Sequence, residues 1–239
     1  MNYKKYIIFL WFILYLSRMN AKIINIYPGG LHGFYMMGIC KYIKNNYKLN
    51  DYKFYGASAG SWNGLYLTFK DKDKYSDQKF IENIENTMIH ERPKSIYKLQ
   101  QKIKEQLLEN YNIDDFDIER LYISVAEIEK PIFRIKKRIY NNFESLDDVT
   151  NCCIASSHLP IISGKLSYKY NDHYCLDGGI FSNPFLNLEN KNVLNIRPFM
   201  WKREQKYKNN LKEIDIKQSI ELGYEEAHRN RDFLNTYLL

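Results

Sequence analysis

Cysteine is scarce in this chain, and Cys40, Cys152, Cys153 and Cys175 show neither a C-x-x-C spacing nor histidines at ligand intervals. Neither a zinc site nor a disulfide framework organises such a sequence, so the thiols are read as buried, unpaired side chains. Glycine is also sparse, 11 of 239 residues, and proline more so at 6. No stretch rich in either forms a linker, and no internal repeat recurs, so the length reads as one domain. An apolar run of the ~20 residues that span a bilayer is missing from the N-terminus. What stands there is the eleven-residue run Tyr6 to Leu16 behind Lys4 and Lys5, the length of a signal-peptide core, with no small-x-small cleavage site after it. Residues 1–20 are therefore read as an N-terminal hydrophobic segment, either a signal, a membrane anchor or a stretch ahead of a start at Met19. Residues 21–239 are the working domain, and membrane association or the secretory pathway is the expected location, with the cytoplasm as the alternative.

There is no acidic surplus. With 35 Lys and Arg against 28 Asp and Glu the net charge is +7 and the pI near 9.0, a balance that suits anionic surfaces such as phospholipid headgroups. The lysines form no long block, which is the pattern of a solvated surface and not of a nucleic-acid tract. A hydrophobic fraction of 45% that includes 21 Tyr and 13 Phe is ample for a packed core.

Against this sparing use of glycine, three of them crowd into FYGASAGSWNGL at Gly56, Gly60 and Gly64, two flanking Ser58. Gly-x-Ser-x-Gly is the pattern of a nucleophile elbow, in which small neighbours let a strand turn sharply into a helix and push a serine hydroxyl outward. Its surroundings agree. KIINIY reads as a strand ending at a Pro-Gly-Gly loop, followed by a helix over FYMMGICKYIKN; YKFYG then reads as a strand, ASAG as a turn and SWNGLYLTF as a helix. Two consecutive strand-helix units predict a mostly parallel sheet with helices on its faces. Further along, FIENIENTMI and IYKLQQKIKEQLLENY predict amphipathic helices about Pro93, scaffold or lid rather than site. RLYISVAEI, HYCL and NVLNIRPF predict strands, PIFRIKKRIYN a strand and edge, SLDDVTNCCIASSHLP a helix up to Pro160, and the tail an amphipathic helix.

Three loops follow strands: YPGGLHG at 27–33, GASAG at 56–60, and Asp177-Gly178-Gly179. In open α/β sheets such loops share the rim at the carboxyl ends of the strands, so the three are expected to converge. Serine is a weak nucleophile without a base, and Asp177, with two glycines behind it, is the carboxylate best placed to serve. The backbone N–H groups of Gly29, Gly30 and Leu31, on a glycine loop that opens a helix, are candidate donors to an oxyanion. That loop lacks the Lys-Ser/Thr of a P-loop and the third glycine of the dinucleotide fingerprint, and no cofactor or metal is called for. His90 and His228 read as surface residues, His158 and His173 as core or rim; a Ser-His-Asp triad would need one of the latter two beside Ser58. A carboxylate with pKa near 4 is a poor proton acceptor, so a Ser-Asp pair requires a desolvated site in an apolar cleft.

The order of glycine loop, GASAG elbow, the CCIASSHLPII stretch with its Ala-Ser-x-x-x-Pro pattern, and CLDGGIFSNP resembles the patatin-like phospholipase family along most of residues 22 to 230. The resemblance implies a three-layer α/β/α fold with a central, mostly parallel sheet and the serine on a strand-turn-helix elbow. It implies a lipid acyl hydrolase acting on phospholipid or other acyl-lipid esters at a membrane surface, with Ser58 as nucleophile, Asp177 as general base, Gly29 and Gly30 as oxyanion donors, and Gly33, Gly56, Gly60, Gly178 and Gly179 as motif positions. The sequence departs from the family pattern at Pro28, where a glycine is usual, and at His32, near where an arginine is usual. Two other readings stay open: a lipid-binding or membrane-interaction protein with a weakened site, and a hydrolase of small esters or thioesters.

Overall fold

The fold is described from a computed structural model, for residues 22–70, 76–91, 95–129, 134–160, 162–180, 193–201 and 215–239. The hydrophobic segment at 1–20 lies outside the described residues. Seven strands form one sheet: β1 (Lys22–Ile26), β2 (Tyr52–Ala57), β3 (Leu121–Glu129), β4 (Arg134–Tyr140), β5 (Tyr168–Tyr170), β6 (His173–Leu176) and β7 (Val193–Ile196). Hydrogen bonds link them along the path β5-β6-β3-β2-β1-β7, with β4 paired to β3 as well. The pairs β1–β2, β1–β7 and β2–β3 are parallel; β4 and β6 pair with β3, and β5 with β6, in antiparallel fashion.

The helices are α1 (Gly33–Asn46), α2 (Ala59–Thr68), α3 (Ser76–Glu91), α4 (Ile96–Asn110), α5 (Leu146–Ser156), α6 (Ile216–Arg229) and α7 (Arg231–Leu238). They flank the sheet as the three-layer α/β/α architecture requires. Local chemistry sets several of their starts. Ser95 Oγ accepts from the Lys98 N–H at 3.2 Å, Ser145 Oγ from Asp148 N–H at 3.1 Å, and Asp215 Oδ1 from Gln218 N–H at 2.9 Å, each satisfying a first-turn donor that the helix itself leaves free. Asp147 and Asp148 in the first turn of α5 also complement its dipole.

The core is laid along the parallel strands: Ile24, Ile26, Phe54, Leu121, Ile123 and Leu194 are almost wholly buried. α2 is buried along nearly its whole length, which is why its sequence shows no polar face. A ring cluster ties α3 to the C-terminal end of α2: Phe80 lies 5.0 Å from Phe69 and 5.4 Å from Tyr66, centroid to centroid.

Three elements differ from the sequence reading. The tail is two helices, α6 and α7, separated at Asn230, not one. β5 was not anticipated; it forms a hairpin with β6 across Asn171 and Asp172, whose φ values of 45° and 62° are those of a tight primed turn. And β6 runs antiparallel to β3, so the aspartate loop does not end a parallel strand as the other two loops do.

Candidate active site

That last difference decides how the site is assembled. The register pairs Ala57 of β2 with Ser124 of β3, and Leu176 of β6 with Ala126. Because β4 covers the other flank of β3 across both stretches, β2 and β6 occupy the same flank and run towards each other. The next residue of each strand is Ser58 and Asp177. Two strands of opposite direction thus deliver the serine and the carboxylate to one point, opposite Val125.

Ser58 sits at φ 56°, ψ −129°, in the region that non-glycine residues avoid and that persists only where surrounding structure enforces it. The enforcing contacts are specific. The Ser58 N–H donates to Ser156 Oγ at 2.9 Å, and that hydroxyl donates in turn to the Ser124 carbonyl at 2.7 Å. The Ser58 carbonyl accepts from the Ser61 N–H at 2.9 Å and the Ser61 hydroxyl at 2.6 Å. The two elbow glycines let backbones meet: a Cβ on Gly56 would lie 2.3 Å from the Gly60 carbonyl oxygen, and one on Gly60 would lie 2.2 Å from that of Ile26. No side chain fits at either place.

Asp177 is fastened on both sides. Its N–H donates to the His158 carbonyl at 2.8 Å, the Gly178 N–H donates to the Ser156 carbonyl at 2.8 Å, and the Gly179 N–H donates to Asp177 Oδ1 at 2.7 Å. The Ser58 hydroxyl is close enough to the carboxylate to act on its ionisation. Both residues are nearly inaccessible, Ser58 at 5% and Asp177 at 4% exposure. Burial raises the Asp177 pKa from its ordinary value; the neighbouring Ser58 hydroxyl, the bond from the Gly179 N–H and the charge of Lys137 act in the opposite sense.

The glycine loop closes the third side. Gly30 adopts φ 51° at the start of a single 3-10 turn, Gly30–His32, which leads into α1. Gly30, Leu31 and Gly33 line the same cleft as Ser58. The Asn63 side chain on α2 donates to the Gly33 carbonyl at 3.0 Å, fixing the loop to the helix behind the serine. The N-terminal N–H groups of α1 and α2 have no intrahelical acceptors, and both helix dipoles present their positive ends here. Pro28 packs against the aspartate loop: a Cβ on Gly179 would lie 2.2 Å from the proline Cγ. The His32 ring lies 4.9 Å from that of Phe199.

From Ser58 an apolar cleft of about 800 Å3, open mouth included, extends between the helices. Phe34 and Met37 of α1, Trp62 and Leu65 of α2, Phe80 and Ile84 of α3, and Leu99, Ile103 and Leu107 of α4 wall it. The amphipathic helices read as scaffold or lid therefore form its far wall, and Gln100 and Trp62 are site residues that sequence reasoning missed. Gln100 carried a legible signal, being a polar residue in register with the apolar stripe Ile103 and Leu107.

Neither histidine candidate takes part through its ring among the described residues. His158 is fully buried with Nε2 3.1 Å from the Lys165 carbonyl oxygen, and burial lowers its pKa. His173 is half exposed, 4.0 Å from buried Glu127. Among the described residues no three His, Cys, Asp or Glu side chains gather as metal ligands would, and no helix is long and apolar enough to cross a membrane.

A family model described as patatin-like phospholipase matches residues 29–188, a span that takes in the glycine loop, the elbow and the aspartate loop. No curated protein matches the chain. Among solved structures, the crystal structure of VipD from Legionella pneumophila aligns over 74% of this chain and 49% of that one, at 11% identity and a TM-score of 0.37; the chain spans about half that protein's length.

Proposed function

The chain belongs to the patatin-like phospholipase family, one of lipid acyl hydrolases, and from that premise we propose that it cleaves fatty acyl esters of phospholipid or related acyl lipids through Ser58 and Asp177. Asp177 accepts the Ser58 proton as Oγ attacks the ester carbonyl, and a tetrahedral intermediate forms. Its oxyanion is held by the N–H groups of Gly29, Gly30 and Leu31, assisted by the positive end of α1. Collapse expels the alcohol, protonated by Asp177, and leaves an acyl-Ser58 ester. Water, deprotonated by the same carboxylate, attacks that ester and regenerates Ser58. The acyl chain occupies the apolar cleft throughout, and the lipid is drawn from a membrane surface. The domain that does this is residues 21–239; the N-terminal segment serves targeting to a membrane or the secretory pathway.

The observation that carries this reading is a serine held at a strained backbone angle, beside a buried aspartate, at the head of an apolar cleft. The raised Asp177 pKa adds to it, because it moves a poor base towards the pH at which it must act. Ser58→Ala and Asp177→Asn are each expected to lower fatty acid release from phospholipid or a chromogenic acyl ester by about 10³-fold or more. A folded variant of either kind with wild-type activity overturns the assignment.

Pro28 favours a second reading, a lipid-binding protein with a weakened site. Proline offers no N–H at a position where the family usually has glycine, and its ring presses on the aspartate loop at Gly179. Covalent labelling separates the two: a fluorophosphonate that labels Ser58 of the wild type rapidly excludes the weakened site.

A further inference from the structure

Two segments that adjoin the cleft carry exposed apolar side chains that neither the core nor the proposed reaction uses. The first is the loop between α5 and β5, residues 157–167. Ser157 and Leu159 at its start line the cleft. Its own bonds fix its course: the Leu159 N–H donates to Ser163 Oγ at 3.2 Å, the Ser163 N–H donates to the Leu159 carbonyl at 2.9 Å, and His158 Nε2 lies 3.1 Å from the Lys165 carbonyl oxygen. On this tied loop Ile162 is 57% exposed and Leu166 78%. The second segment follows β7 and backs the glycine loop, whose Gly30 and Leu31 also line the cleft. A Cβ on Gly29 would lie 3.3 Å from Pro198 Cγ, and the ring of Phe199, itself 47% exposed, lies 4.9 Å from that of His32. Single exposed apolar residues are ordinary, but three large ones on the two segments that border one apolar cleft mark a surface of contact.

Charge says what the surface meets. The glycine loop at 28–33, the loop at 157–167 and the segment at 196–201 contain none of the chain's 28 acidic residues, while the exposed cations Lys165 and Arg197 stand among the apolar side chains. Each cation lies over an aromatic ring, Lys165 at 5.8 Å from that of Tyr97 and Arg197 at 4.9 Å from that of Tyr27, and neither has a carboxylate partner among the described residues. We propose that these segments form a docking rim that sets the cleft mouth on a bilayer of anionic phospholipid. Ile162, Leu166 and Phe199 enter the boundary of the acyl chains, and Lys165 and Arg197 meet the headgroup phosphates. A nucleic acid would engage the cations and leave the three apolar side chains in water; the headgroup layer of a bilayer takes both. With the mouth set on the bilayer, an acyl chain passes into the cleft without exposure to water. The inference rests on the acyl hydrolase reading, which brings lipid to the mouth, and names the residues that hold the membrane there.

The test measures binding, so that it does not depend on turnover. Full-length Ser58→Ala protein is co-sedimented at low salt with vesicles of phosphatidylcholine alone and of phosphatidylcholine mixed with phosphatidylglycerol. Adding Ile162→Ser together with Leu166→Ser, with the fold checked by circular dichroism, is expected to weaken binding to the mixed vesicles about tenfold or more. Leu166→Gln alone serves if the double variant does not fold. Adding Lys165→Glu together with Arg197→Glu is expected to weaken binding to the mixed vesicles about tenfold or more and to leave binding to phosphatidylcholine nearly unchanged. Leu108→Ser, which removes an exposed leucine of α4 outside the two segments, is expected to change neither. A parent protein that binds neither vesicle overturns the inference, as do rim variants that bind as tightly as the parent, a charge variant weakened equally on both vesicles, or a Leu108→Ser protein weakened as much as the rim variants. Each of these results leaves the acyl hydrolase reading standing, because fluorophosphonate labelling of the wild type decides that separately.

Discussion

The Asp177 carboxyl is lifted above its ordinary pKa by burial, while Ser58, the Gly179 N–H and Lys137 pull it back. The balance has consequences for both rate and stability. In the proposed role of base Asp177 must be ionised to take the serine proton, so the acid limb of kcat/KM is expected at an apparent pKa above the ordinary carboxylate value of about 4. For stability the sign is opposite. A folded-state pKa above the unfolded one means that the group's contribution is fully present below about pH 4 and is lost as pH rises through the folded pKa. Asp177→Asn, which never ionises, should therefore gain on the wild type as pH rises across that window. Thermal melts of both proteins at a series of pH values from 3 to about 8 check this; a stability difference that does not change with pH contradicts the burial argument. Ser156 shows how a residue without chemistry of its own enters the site. Its hydroxyl joins the Ser58 N–H to the Ser124 carbonyl, and its own carbonyl receives the Gly178 N–H. In the sequence it was visible only as part of the Ala-Ser-x-x-x-Pro pattern.

Among the elements, those with a strong local signature were legible. KIINI and YKFYGA each pair a β-branched or aromatic run with a following glycine loop, and the structure has strands at Lys22–Ile26 and Tyr52–Ala57 with helices behind them. The direction of β6 was not legible, because it is fixed by pairing with β3, some fifty residues earlier in the chain, and no local pattern distinguishes a parallel from an antiparallel four-residue strand. Its hairpin partner β5 was signalled by Asn171-Asp172 between two aromatic-rich runs, a turn chemistry that was overlooked. The cleft could be argued from the needs of the Ser-Asp pair, but not which helices wall it, since that depends on tertiary docking of α3 and α4. The crossing of α1 and α6 is a further case. A Cβ on Gly38 would lie 2.0 Å from the Ile220 carbonyl oxygen, and one on Gly223 would lie 2.0 Å from that of Tyr35. These helices meet backbone to backbone, and α1 is the helix that the glycine loop opens. Gly223→Ala is expected to force them apart and to lower stability by about 1–3 kcal/mol. Chemical denaturation measures the loss; a variant as stable as the wild type shows that the helices separate at no cost.

On the scale of the whole molecule, the apolar cleft and the overall charge bear on the same step of the proposed reaction, the transfer of one lipid out of a bilayer. In the proposed reaction the cleft takes the acyl chain out of water, and Phe80 of its wall also packs in the ring cluster of Phe69 and Tyr66. Charge governs the step before that. With a net +7 the chain is attracted to an anionic surface at a range set by the Debye length, about 10 Å at 0.1 M salt and about 3 Å at 1 M. Insertion of an acyl chain into an apolar cleft carries no comparable salt dependence. Vesicle binding of the Ser58→Ala protein should therefore have a component that requires anionic lipid and falls several-fold from low to high salt, whereas hydrolysis of a short, soluble acyl ester by the wild type should scarcely respond to salt. Co-sedimentation with phosphatidylcholine vesicles, with and without phosphatidylglycerol, measures the first, and a chromogenic ester assay the second. Equal binding to both vesicle types at every salt concentration would show that the positive charge is merely distributed over a solvated surface and that the bilayer is engaged through apolar contact alone.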